Sequence, residues 1–150
     1  MATSVVEGVA PPTFFPDLRD KAAIFNGQDE FNLKTVELFQ NMGLPEKMLP
    51  LCDIIEGGFV EETGFSWIIA RSEQQHHFVK ADRHCSYDEV ITSTISKGRM
   101  SNIHGVKAKE LGIWVPVNEI YVDESNPSEK KLVFKSILGL SRTMAFHLFE

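Results

Sequence analysis

The apolar positions of this 150-residue chain fall at helical spacing from Pro16 to about Pro50 and at strand spacing beyond it. Residues 1–15 show no period and contain small residues and Pro11-Pro12, which predicts a poorly ordered tail with Phe14 and Phe15 able to pin its end. Residues 16–150 read as one domain. Pro16 and Asp17 suit a first helical turn, and Leu18, Ala22 and Phe25 follow at i, i+4 and i+7 until Asn26-Gly27 ends the helix. Asp29 is placed to cap a second helix with a stripe of Phe31, Thr35, Leu38 and Met42, flanked by Val36 and Phe39. Gly43 fits the left-handed position of a Schellman ending. Leu44 is then set to pack on Phe39, and Pro45 prevents continuation.

Beyond Pro50 the segments shorten. Strands are predicted at Ile54 to Glu61, Phe65 to Arg71, His77 to Ala81, Glu89 to Ser96, Lys131 to Ile137 and Thr143 to Phe149. Turns are expected at Glu62-Thr63-Gly64 and Lys97-Gly98. The longest β-branched run, Ile113 to Val117 with Ile120 to Val122 behind it, reads as a core strand. Its apolar phase shifts between Val117 and Ile120, which predicts a bulge near Asn118-Glu119, and Pro116 suits an edge or that irregularity. Ser101-Asn102 and His104-Gly105 favour turns and predict a reversal near Gly105, before the run. Six or seven strands after two helices imply antiparallel meanders. The expected fold is mainly β, a β-rich α+β: an antiparallel roll or partly open barrel with one or two N-terminal helices over one face or mouth.

Composition narrows the partners more than the fold. Fifteen Lys and Arg against 21 Asp and Glu give a net charge of −6, which argues against nucleic acid. Two cysteines, Cys52 and Cys85, are too few for a disulfide scaffold and read as buried free thiols, with one bridge as the alternative. No apolar run is long enough for a transmembrane segment, and the N-terminus lacks the basic and apolar regions of a signal peptide, so a cytoplasmic location is expected.

Candidate chemistry is sparse. His76-His77 and His84-Cys85 form the most metal-like cluster, but neighbours on a strand face opposite ways, so no metal is assigned. Gly64-Phe65-Ser66-Trp67-Ile68 lacks the second glycine of a nucleophile elbow, and Ser128-Glu129-Lys130-Lys131 lies in an exposed loop. Glu56-Gly57-Gly58-Phe59 reads as a bulge or turn within strands, not as a phosphate loop. No catalytic residue and no cofactor follow from these patterns.

Two segments resemble a known family. Gly43-Leu44-Pro45-Glu46-Lys47-Met48-Leu49-Pro50 is similar to the Gly-Leu-Pro-x-Gly-Leu-Leu-Pro segment of the plant family catalogued as domain of unknown function 538. Gly98 to Leu111, followed by Ile113-Trp114-Val115, resembles its other signature, and the sequence type Gly-Val-Lys-Ala-Lys-Glu-Leu resembles the branch without a signal peptide. Glu46-Lys47 stands where other members carry a glycine. The resemblance implies a β roll, a stress-associated role in plants, no agreed activity and no catalytic residues to carry over. It also implies a likeness to lipid-binding proteins of the bactericidal/permeability-increasing type. The leading expectation is therefore a non-enzymatic binder of a small apolar or lipid-like ligand, its cavity lined by Phe65, Trp67, Phe78, Trp114 and Phe134. A protein-interaction or scaffold module, using the acidic loop Asp123 to Glu129 and the helix face, is the alternative. Third comes an ester hydrolase, which requires a Ser or Cys within reach of His76, His77, His84, His104 or His147.

Overall fold

The computed structural model describes residues 16–150, so the expectations for the tail and for Phe14 and Phe15 lie outside the described residues. The chain runs α1 (Pro16–Arg19), β1 (Ala23–Asn26), α2 (Gly27–Met42), β2 (Ile54–Phe59), β3 (Phe65–Ala70), β4 (Gln74–Phe78), β5 (Arg83–Ser96), β6 (Arg99–Glu110), β7 (Ile113–Asp123), β8 (Lys131–Ser136) and β9 (Ser141–Ala145). A single 3-10 turn, Phe146–Phe149, follows. All nine strands join one antiparallel sheet in the order β1-β2-β3-β5-β6-β7-β8-β9, and β4 pairs with β5 beside β3. The sheet does not close, and among the described residues its free edges are β1, β9 and the outer side of β4. This is the expected β-rich roll, with one long helix against it.

The helix ends as its sequence requires. Gly43 takes φ 73°, its N–H donates to the Gln40 carbonyl, and the Leu44 N–H donates to that of Phe39 at 2.9 Å, which satisfies two orphan carbonyls. The start differs from expectation. Asn26, not Asp29, is the cap residue, and its backbone N–H donates to Glu30 Oε1 at 2.9 Å. Gln28 then fastens this end to the entry of β2, donating to the Leu51 carbonyl and accepting from the Ile54 N–H.

Three further corrections have physical causes. The helical spacing of Leu18, Ala22 and Phe25 does not make a helix beyond Arg19, because Ala23–Asn26 pairs with Glu56–Phe59. Phe25 crosses Gly57, where any Cβ would stand 2.1 Å from its ring, so the glycine face of β2 accepts this strand. The second is at Gly105, where the chain does not reverse. Asn102 (φ 49°) and Gly105 (φ 98°) instead lie in β6, where the β5–β6 register breaks beside Thr92, and they bend a continuous strand. Finally, the last predicted strand stops at Ala145, and the 3-10 turn carries Phe146 and Phe149 into the core.

The phase shift in β7 is real. Val115 and Val117 are buried on one side of a register break between Val117 and Glu119, and Ile120 is buried beyond it. Pro116 pairs with Lys107 one residue before the β8 ladder begins.

Two apolar layers result. The larger packs Phe31 and Phe39 of α2, Leu44, Met48, Leu49 and Leu51 onto Ile68, Tyr87, Ile91, Met100, Ile103, Val117, Ile120 and Leu132, with Phe146 and Phe149 closing it. The smaller lies on the other face, where Val60, Trp67 and Ile69 meet Leu18, Ala22, Ile24, Ile55, Phe65 and Val90. Beneath α1, Glu56 accepts two hydrogen bonds from Arg19 (2.7 and 2.9 Å) and one from Trp67 Nε1 (2.9 Å). Burial alone would push the Glu56 carboxyl up, but the bonds from Arg19 and Trp67 and the Arg19 charge outweigh it and hold the group below the usual carboxylate range.

Candidate functional site

Among the described residues, the spaces within and beside the core are small, about 40, 30 and 20 Å³, well below the roughly 300 Å³ of a small-molecule site. A much larger space, about 480 Å³, opens to solvent between α2, the segment that leaves it, the end of β4 and the C-terminal turn.

Each wall has a local cause. The Schellman ending and Pro45 turn the chain back, so residues 46–51 run beneath α2 with Met48, Leu49 and Leu51 buried. The α2 face that is left over offers Phe31, Thr35 and Val36. Phe78 ends β4 and meets Phe149 edge-on at 5.2 Å, and Phe149 also meets Phe134 at 5.3 Å. The floor is thus Phe31, Leu49, Phe78 and Phe149. At the rim are Lys47, Lys80, His76 and His77, with Glu46 and Glu150. Gln40 Nε2 donates to Glu46, which turns that carboxylate toward the helix. The result is an apolar floor under a rim that carries two lysines and two glutamates.

The five aromatic residues expected to line one cavity are distributed among three places. Phe78 is on the cleft floor, and Phe134 reaches it through Phe149. Phe65 and Trp67 lie together in the smaller layer, with ring centroids 6.3 Å apart. Trp114 is half-buried near one end of the sheet, with Lys109 Nζ 5.4 Å from its ring centre. The residues that shape the cleft instead, Phe31, Val36, Leu49 and Phe149, come from helix and turn. Helical spacing marks Phe31 as core and Val36 as its flank, Leu49 and Phe149 fall on no apolar period, and none of the four carries a sign of a cleft.

The cysteines are both free: Cys52 is exposed, unlike the expectation, and Cys85 is buried. Burial pushes the Cys85 thiol up to about 11, against smaller lowering effects of Tyr87 and Arg83. Among the described residues no serine or cysteine side chain hydrogen-bonds a histidine ring; the ring bond present joins His77 to Asp82. His76 and His77 face opposite ways, as strand alternation requires. The ring of His76 meets Phe78 at 4.6 Å, and His77 stacks on His84.

A second feature lies at one end of the sheet. The turns 79–82, 111–112 and 137–140 fall together there, because β5 pairs Cys85 with Ala108 and β7 pairs Val117 with Ser136. Glu110 ties the three, accepting from Arg83 at 3.2 Å and from Arg142 Nε at 2.9 Å. Among the described residues, every exposed large apolar side chain except Leu33 and Val36 is at these tips: Val79, Leu111, Ile113, Ile137, Leu138 and Leu140.

These features define a class: an open antiparallel roll over a single long helix, with a solvent-facing apolar cleft at the helix exit. Residues 35–150 match the family model described as protein of unknown function, DUF538, and the chain belongs to that family. No curated protein and no solved structure matches it. Helix α1, strand β1 and the first turns of α2 precede the matched region. No helix among the described residues is long and apolar enough to cross a membrane.

Proposed function

We propose that the protein is a non-enzymatic binder of a small apolar or lipid-like ligand, held in the cleft between α2 and the end of β4. The supporting observation is a space of about 480 Å³ with a phenylalanine and leucine floor and lysines at its rim. That volume lies within the roughly 300–1,000 Å³ of small-molecule sites. The family resemblance supplies the setting of the proposal, a plant cytoplasm under stress. The test is displacement of an anionic apolar dye by a long-chain fatty acid. Val36→Asp puts a charge on the apolar wall and should weaken fatty-acid binding about tenfold, a loss of ~1.4 kcal/mol. Leu33→Asp, on the same helix and outside the cleft, should change nothing. Absence of saturable binding, or equal binding by Val36→Asp, refutes the reading.

A second reading, an interaction module, is favoured by the hairpin tips. The acidic loop Asp123 to Glu129 is polar and mostly exposed, and the apolar tips are at the opposite end of the sheet. Leu111 is 97% exposed and takes φ 51° in a turn where Asn or Gly costs less, and no contact within the fold compensates for it. The tips carry Lys80, Arg83, Lys109, Lys135 and Arg142 against Asp82 and Glu110, in a chain of net charge −6. Separate apolar turns among cations suit an anionic lipid surface. Co-sedimentation with phosphatidylserine vesicles, reduced in Leu111→Asn/Leu138→Asp, supports this docking. No sedimentation, or concentration-dependent self-association in its place, overturns it.

A further inference from the structure

We propose that His77, Asp82 and His84 form a binding site for a divalent transition-metal ion of the zinc class. The site stands on geometry that no single segment reveals. His77 and His84 are directly opposed in the β4–β5 hairpin, so both side chains leave the same face of the sheet. Their rings are parallel within 3°, with centroids 4.0 Å apart. Asp82 precedes β5 in the connecting turn, where its N–H donates to the Val79 carbonyl and its backbone takes φ 49°. That conformation returns its carboxylate to the pair, with Oδ1 3.0 Å from His77 Nε2. One ligand atom from each residue lies within 4.8 Å of the others.

The arrangement does little for the fold. All three residues are exposed, and a surface contact of this kind contributes at most about 1 kcal/mol. Face-to-face aromatic stacking is also the less favoured geometry for two rings. Metal coordination gives the same three side chains a common purpose. Bonds of about 2.0–2.1 Å around a tetrahedral ion place ligand atoms roughly 3.3 Å apart, so the widest pair must close by at most about 1.5 Å. Both rings are exposed and free of core packing, so they can splay apart to admit the ion. Strand register supplies what torsions cannot, the matched origin of both imidazoles.

The donor set selects the ion. Two imidazoles and one carboxylate suit zinc and its neighbours, whereas calcium and magnesium require mostly oxygen. Three protein ligands leave a coordination position open, as in sites that take water or an exogenous oxygen. His77 and His84 leave the face of β4 opposite to Phe78 of the cleft floor, so binding of the ion does not depend on an apolar guest in the cleft.

The test is calorimetric titration of untagged, chelator-stripped protein with Zn²⁺ alone, beside Ca²⁺. One saturable Zn²⁺ site per chain is expected, with no saturable Ca²⁺ site. His77→Ala and His84→Ala should each weaken it at least about tenfold, which is about 1.4 kcal/mol, and Asp82→Asn several-fold. His76→Ala, one residue along and on the other face, should leave it unchanged. Far-ultraviolet circular dichroism checks that each variant keeps its sheet. The proposal is overturned if wild type shows no saturable Zn²⁺ site, if either His77→Ala or His84→Ala retains wild-type affinity, if His76→Ala weakens binding equally, or if Ca²⁺ binds as well.

Discussion

Replacing Arg19 by Met removes the charged partner that Glu56 has among the described residues and keeps most of the apolar stem that covers the sheet. Glu56 is 5% exposed and would retain the Trp67 N–H as its donor. Leaving a fully buried charge unpaired costs about 3–5 kcal/mol. Arg19 is at the boundary with water, its side chain 24% exposed, so the pair is partly hydrated and the expected cost is lower, about 2–3 kcal/mol. For a domain of this size each kcal/mol lowers Tm by roughly 2–4 °C, which predicts a fall of about 4–12 °C. Glu56→Gln should cost about 2 kcal/mol, because the amide oxygen can still accept from Trp67 while the charge-assisted bonds to Arg19 are lost. In the double variant no buried charge remains unpaired, so the two losses should fall short of their sum by at least about 1 kcal/mol. Urea unfolding followed by tryptophan fluorescence and circular dichroism measures all four forms. Strict additivity, or an Arg19→Met loss below about 0.5 kcal/mol, would refute the account of Glu56 as a buried anion neutralised by α1.

The same carboxylate sets an acid response. Since its folded pKa is lowered, its contribution is complete above the ordinary glutamate value of about 4.3 and is lost as pH falls through the depressed folded value, so Arg19→Met should flatten the acid limb of the stability profile. Gly58→Ala should cost at least about 3 kcal/mol by overpacking, because its Cβ would sit 2.3 Å from the Trp67 ring; thermal melting near wild type would show that the smaller layer is loosely packed. A thiol reagent at neutral pH should label one cysteine quickly, Cys52, and reach Cys85 only on unfolding, since burial holds that thiol at about 11; two fast equivalents would contradict this. Leu111→Asn should stabilise the protein by about 0.5–1 kcal/mol by relieving the left-handed leucine, and an unchanged or lowered unfolding midpoint would mean that the turn is not strained.

What could be seen in the sequence divides by the range of the interaction that decides it. Gly43-Leu44-Pro45 specifies a helix ending through hydrogen bonds within six residues, and the structure has that ending. The shift of apolar phase between Val117 and Ile120 is also local, since a strand must bulge to keep both buried. Residues 23–26 were not legible, because Ala, Ile and Phe satisfy a helical spacing as well as a strand. The choice rests on Gly57, more than thirty residues away, which leaves room for Phe25. Gly105 and Asn102 offered a turn, yet their left-handed backbone serves bulges whose need arises only from the partner strand β5. Sites are further removed still. The cleft takes its walls from four separated segments, residues 31–36, 46–51, 76–80 and 148–150, and none carries a motif. Alternation correctly separated His76 from His77, but it is silent on the residue across the hairpin. A four-residue connection aligns His77 with His84, whereas a register shifted by one residue would oppose His77 to Cys85 or Arg83. In an antiparallel roll built from uneven strands, chemistry is therefore encoded in register more than in neighbouring residues. That is why a sequence with no recognisable site can still bring two imidazoles and a carboxylate within reach of one ion.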